Sequence, residues 1–190
     1  MIVITKDKTL EFLHSKIQSP NLRKHCYAVS AVMRALAKHF GENEAKWEIV
    51  GLLHDGDYEE TKDSPEKHTV IMAKWLKEKG ETDKELIEAI LSHNFSHTGQ
   101  NPPKNNLEWS LFCCDELTGL IVAVTLVRPD KKLSNVTVEN ILSKWNSKSF
   151  AAGVKREQIE MCEERLDIKL NDFIAIALNA MQGISSELGL

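Results

Sequence analysis

Four residues of this chain carry side chains that could hold a divalent cation: His25, the doublet His54-Asp55, and Asp115. Each falls on, or at the end of, an apolar stripe with helical period. His25 follows Leu22 and precedes Val29, His54 continues Trp47, Val50 and Gly51, and Asp115 sits between Leu111 and Thr118. A carboxylate on such a face is costly unless something pairs with it or drives it to protonate. A cation removes that cost by supplying the opposite charge. Two imidazoles and two carboxylates make a mixed nitrogen and oxygen donor set suited to Mn, Fe, Co, Ni or Zn rather than Ca. Such a set leaves positions for water, which becomes a nucleophile near neutral pH when a metal binds it.

The residue types alone leave other readings open. A histidine on an apolar face is often a hydrogen-bonded core residue. A His-Asp pair at a helix end can be a cap and a turn, and Asp115 could pair with a buried lysine or arginine.

The elements that must position these residues read as helices almost throughout. Leu22, Cys26, Val29, Met33, Leu36 and Phe40 form one stripe that Gly41 stops. A second runs from Trp47 to His54 and ends in the turn Asp55-Gly56-Asp57. Ser64 as cap and Pro65 at the first position predict a third helix over 64–80. Thr82 with Glu85 three residues later has the form of a capping box, predicting a fourth helix to about His93. Gly99, Pro102 and Pro103 make residues 95–106 a loop. A long apolar helix is expected over 107–127, ended by Pro129. Weaker helices follow over 137–145, 155–166 and 170–188, and the one strand-like stretch is residues 1–4. The expectation is an all-α, single-domain bundle over residues 1–190, with a core at about 20–128 and a C-terminal helical extension over 129–190.

Of the 190 residues 42% are hydrophobic and 27% charged, which fits a folded globular chain. A net charge of −4 and no interleaving of aromatic and basic residues argue against nucleic acid as a partner. Cys26, Cys113, Cys114 and Cys162 form no CxxC pair and read as buried reduced thiols. The start MIVITKDKTL does not resemble a signal peptide, and the apolar stretch 119–127 is too short to span a bilayer. No membrane partner and a cytoplasmic location are therefore expected.

His25, then His54-Asp55 within GLLHD, then Asp115 on a later helix, resembles the HD superfamily of metal-dependent phosphohydrolases. HDGDYE, SPEKH, AILSHN and CDELTGLIVAVTLVRP extend the likeness, which is to an uncharacterised branch of predicted HD hydrolases. The resemblance implies an all-helical core with His25, His54, Asp55 and Asp115 as metal ligands. It also implies hydrolysis of a phosphate ester or anhydride, with a nucleotide or phosphorylated metabolite as the small substrate. His68 and His93 stand where relatives with a second metal insert histidines, and His97 follows closely. They would complete a two-metal site, line the substrate pocket, or be solvated. His14 and His39 read as surface residues.

The HDIGK form of some relatives is absent, so Asp57 or Glu59 could serve as the general acid or position the water, with Asp57 favoured. Catalysis would then rest on Asp55 and Asp57. Lys62, Arg128, Lys131 and Lys132 are candidate phosphate clamps, Arg128 first because it closes the helix carrying Asp115. Rival readings are a di-iron oxygenase on the same scaffold, a non-catalytic metal- or nucleotide-binding module, and a structural helical domain. The long apolar helix over 107–127 and the C-terminal helix could also supply a homodimer surface.

Overall fold

Ser19 accepts the Leu22 amide and Pro20 occupies the first turn, so the chain enters its first long helix there. In the computed structural model, which describes residues 4–190, this is the second element in an all-helical order. The elements are α1 (Lys6–Lys16), α2 (Pro20–Phe40), α3 (Glu44–Leu53), α4 (Tyr58–Thr61), α5 (Val70–Glu78) and α6 (Lys84–His93). They continue as α7 (Phe95–Thr98), α8 (Asn106–Leu126), α9 (Val138–Leu142), α10 (Arg156–Leu166), α11 (Leu170–Gln182) and α12 (Ser185–Leu188). No strand occurs among the described residues; the strand expected over residues 1–4 falls, apart from Ile4, outside them.

α2 and α3 form the tightest pair, and Gly51 is the reason. A Cβ at Gly51 would stand 2.6 Å from Ser30 Cα, so only glycine lets the two backbones approach this closely. The Ser30 hydroxyl donates to the Glu48 carbonyl at 2.8 Å across the same contact. This approach brings the last turn of α3, with His54, against the first half of α2, with His25.

α8 is the central helix. Leu111, Cys113, Cys114, Leu117, Leu120 and Ile121 are fully buried, and α2, α6, α10 and α11 pack around it. Its 21 residues are long and apolar enough to cross a membrane, more than the stretch 119–127 suggested. Within this fold 61% of its most apolar window is buried by other helices, as in the core helix of a bundle. All four cysteines are free and buried.

Several element boundaries differ from the sequence expectation. α1 was not anticipated; it docks on α3 and buries Phe12 and Leu13, with Phe12 against Trp75 of α5 and Ile17 buried just beyond its end. The cap of α6 is Asp83, whose carboxylate accepts the Glu85 and Leu86 amides, and not Thr82. The third helix does not start at Ser64. A 3-10 turn over Pro65–Lys67 is followed by extended His68 and left-handed Thr69, and α5 begins only at Val70. Residues 95–98, read as loop, form the single turn α7, which Gly99 ends with φ +69°. The C-terminal helices fold back over the core: α10 lies along α8, and α11 packs on α2.

Candidate metal centre

His25 from α2, His54 and Asp55 from the end of α3, His68 before α5, His93 from the end of α6 and Asp115 from α8 converge on one point. On one side, His25 Nε2 lies 2.9 Å from Asp115 Oδ1, 3.1 Å from His54 Nε2 and 3.6 Å from Asp55 Oδ2. His54 Nε2 lies 3.5 Å from Asp115 Oδ1 and 3.6 Å from Asp55 Oδ2. On the other side, Asp55 Oδ1 lies 3.2 Å from His68 Nε2 and 3.2 Å from His93 Nε2. Asp55 thus stands between two donor sets, one oxygen turned to each.

The second ring nitrogens are held from behind. His54 Nδ1 is 2.8 Å from the Gly51 carbonyl, which can only accept, so this nitrogen carries the proton and Nε2 presents its lone pair. His68 Nδ1 lies 2.7 Å from Asp57 Oδ1. His25 Nδ1 is 3.4 Å from the Thr118 hydroxyl, which itself donates to the Asp115 carbonyl. Imidazoles oriented by acceptors behind them are the usual arrangement around a bound metal.

Asp55 Oδ1 is buried yet accepts no hydrogen bond in good geometry from either neighbouring ring. An orphaned carboxylate oxygen facing two imidazole nitrogens fits a divalent cation seated among them, and the nitrogen and oxygen donor chemistry agrees. Two groups of three, His25-His54-Asp115 and His54-Asp55-His93, have ligand atoms within 4.8 Å of one another.

Without a cation, protons take its place. Burial works against charging His25, but the hydrogen bond and charge of Asp115, with the charge of Asp55, raise its pKa to about 9. His68 is likewise raised to about 9 against burial, through Asp55 and Asp57. Burial would raise both carboxyls. The His54 charge and the His68 and His93 contacts instead hold Asp55 well below the usual carboxylate range, and the His25 and His54 hydrogen bonds do the same for Asp115.

The cluster forms the floor of a cavity of about 240 Å³. Tyr58, Ser96, His97, Phe112 and Glu116 line its walls, together with Gly119, Val154 and Gln158. The edge of Tyr58 meets the His68 ring at 5.7 Å and 90°. Lys155 reaches the same rim: its amide donates to Glu116 Oε2 at 3.1 Å and its Nζ lies 3.4 Å from Ser96 Oγ. Val154, Lys155 and Gln158 were not singled out by the sequence. They lie about 40 residues beyond Asp115 and arrive only because α10 packs along α8.

Other expected residues lie elsewhere. Asp57 is fully buried, with Oδ1 on His68 and Oδ2 accepting the Met72 amide at 2.9 Å. Both oxygens are engaged behind His68, which corrects the expectation of Asp57 as general acid. Glu59 accepts the Gln18 and Ser19 amides and ties α4 to the start of α2. Lys62 is exposed at the end of α4 and does not line the cavity. Arg128 is engaged by Asp130 and Asn140. It lies 13 residues beyond Asp115, roughly 20 Å along the helix axis at 1.5 Å per residue. Lying just past the end of the helix that carries Asp115 takes Arg128 away from the site, and Lys131 and Lys132 with it. His14 and His39 are exposed, as expected.

Residues 22–144 match the family model for the HD domain. The chain belongs to the HD family. The matched segment holds all six clustered side chains, whereas α10, α11 and α12 lie beyond it. No curated protein and no solved structure matches the chain. HD membership brings a hydrolase superfamily that uses divalent metals, and the side chains here form a set that could hold one.

Proposed function

We propose that this HD protein is a phosphohydrolase that holds two divalent cations and cleaves a phosphate ester or anhydride of a small molecule. The observation that carries the reading is Asp55, with Oδ2 toward His25 and His54 and Oδ1, orphaned, toward His68 and His93. His25, His54, Asp55 and Asp115 would hold one cation, and Asp55, His68 and His93 another.

Cations bound there would lower the pKa of a coordinated water and neutralise charge on the phosphoryl group. The remaining tasks fall to the chain. Lys155 and Ser96, on the rim, offer a cation and a hydroxyl for the outward phosphoryl oxygens. Glu116 and His97 are, beside the Tyr58 phenol, the titratable wall groups outside the donor set. Burial, and then the neighbouring Asp115, raise Glu116 above its ordinary value against the Lys155 amide, which favours its role as the proton donor to the leaving oxygen. Burial and Lys155 lower His97, which makes it the poorer donor. Phe112 and Val154 supply apolar wall. A cavity of about 240 Å³ favours a phosphoryl group with a modest substituent over a polymer.

Elemental analysis of protein incubated with Mn, Co, Ni, Fe(II) or Zn tests the reading, followed by phosphate-release assays on small phosphate esters. Two equivalents in wild type, lost in Asp55→Ala with the turnover, is the expected result. Absence of bound metal across the series overturns it. Turnover that requires iron and dioxygen would move the protein to an oxygenase class.

A further inference from the structure

Gly119 sits in the middle of α8, one turn after Asp115, where a helix gains from almost any other residue except proline. No close backbone approach demands a glycine there. A Cβ at this position would find only Val154 Cγ2, at 3.8 Å. What the missing side chain leaves is an opening. Gly119 and His25 line both the metal cavity and a second, neighbouring cavity of about 410 Å³ between α2, α8 and the C-terminal residues.

The second cavity has a distinct chemistry. Its walls are Ala28, Val122, Leu126, Leu188 and Leu190, and apart from the His25 imidazole, which is engaged with Asp115 and His54, no aromatic side chain lines it to stack on a nucleobase. Leu126 is 49% exposed on its flank, an apolar surface without a partner in the fold. Asn21 and Lys24 are the polar side chains besides those shared with the metal centre or turned into α8.

We infer that this groove is the substrate's second subsite, receiving an aliphatic group esterified to the phosphoryl group, and that Gly119 is the residue that admits it. The inference rests on the hydrolase reading only for where the phosphoryl group sits. The substituent leaves the metal cavity over Gly119, where any side chain would stand in its path, and lies along the aliphatic walls of α2 and α8. Among phosphorylated metabolites this selects those with an alkyl or branched aliphatic body over nucleotides.

Binding of n-alkyl phosphonates to metal-loaded protein, by calorimetry, tests this without requiring hydrolysis. Each methylene buried in the groove should tighten binding about fourfold, so hexylphosphonate should bind roughly a hundredfold or more tighter than ethylphosphonate. Gly119→Leu should abolish that gradient with metal content unchanged, and Gly119→Ala should weaken it. Gly119 is exposed and helical, so neither variant threatens the fold. A flat series in wild type, or a gradient that survives Gly119→Leu, overturns the subsite. The parallel assay on alkyl phosphate esters separates the two claims. A gradient in phosphonate binding without ester cleavage keeps the groove and removes the hydrolase. Cleavage with no dependence on chain length keeps the hydrolase and removes the groove.

Discussion

Asp57 Oδ1 lies 2.7 Å from His68 Nδ1 while its Oδ2 accepts the Met72 amide at 2.9 Å. One buried carboxylate therefore starts α5 and aims a candidate ligand, and the segment between them bends to suit both. Thr69, the residue after His68, is left-handed at φ 69°, a conformation costly for a β-branched residue. Strain beside the cluster, held by Asp57, makes His68 the most conditional of the six side chains.

Asp57→Asn removes the charge behind His68 and leaves one good acceptor for two donors. The second metal equivalent should weaken by about 10- to 100-fold, the usual effect of losing a partner behind a ligating histidine. The first equivalent, on His25, His54 and Asp115, should hold. A two-step metal titration checks this; equal weakening of both steps would mean that Asp57 supports the whole site.

The charged cluster sets the pH behaviour of metal-free protein. His25 and His68 have folded pKa values of about 9 against 6.5 when unfolded, so their stabilisation is complete below pH 6.5 and fades as pH rises through 9. Asp55 and Asp115 are depressed below 3.8, so theirs is complete above that value and fades as pH falls through their folded values. Chelated protein should be most stable between these limits and lose Tm from pH 6.5 to 9. Metal binding runs the other way. At pH 7 both imidazoles are charged, so loading should release about two protons and tighten toward pH 9. Calorimetry in buffers of different ionisation enthalpy counts them, and zero release would contradict the protonated cluster.

The ligand residues were legible because their types are costly on apolar stripes and because their order resembles a known family. Their number was not. Whether His68 and His93 join His25 depends on how α5 and α6 are placed, and spacing does not encode that. Asp57 looked like an acid because it follows the doublet, yet its role is set by a contact with residues 68 and 72. Arg128 failed on simple geometry, since the rest of α8 after Asp115 carries it past the far end of that helix. α1 did have a signal, with Leu13 and Ile17 one turn apart and both buried, but Lys-rich flanks obscured it. Lys155 had none, because only the packing of α10 on α8 brings it to the rim.

Gly51→Ala should be far more harmful than its size suggests. The added methyl would meet Ser30 Cα at 2.6 Å and Ser30 N at 2.8 Å, and a backbone cannot yield as a side chain can. Separating α2 from α3 should cost about 1–3 kcal/mol, as overpacking does, and lower Tm accordingly. It should also pull His54 away from His25, now 3.1 Å apart. Thermal melts with and without metal read both effects; unchanged metal stabilisation would show that the helices yield without moving the ligands.

Glu116→Gln tests the proton donor. The amide keeps the acceptor for the Lys155 amide but carries no acidic proton, so kcat should fall by about 10²-fold or more with metal content unchanged. With Glu116 acting as an acid, wild-type kcat should fall as pH rises through its raised pKa, and that limb should vanish in the variant. A retained limb would assign the proton to another group, with His97→Gln as the next variant to measure.

Lys155 and Arg128 make opposite predictions from similar chemistry. Lys155 Nζ sits over Ser96 at the rim of the metal cavity, whereas the Arg128 guanidinium is engaged by Asp130 and Asn140 at the far end of α8. If an exposed cation clamps the outward phosphoryl oxygens, Lys155→Met should raise KM by about tenfold, the 1.4 kcal/mol of one modest charge-assisted hydrogen bond. Metal content and Tm should barely change, because Lys155 is tied to the fold through its amide, which the substitution keeps. Arg128→Met should leave KM alone and lower stability slightly through the lost Asp130 contact, and Lys62→Met should change neither. Steady-state kinetics on the three variants decide it. An effect of Arg128 on KM without loss of stability would require a substrate long enough to lie along the C-terminal half of α8.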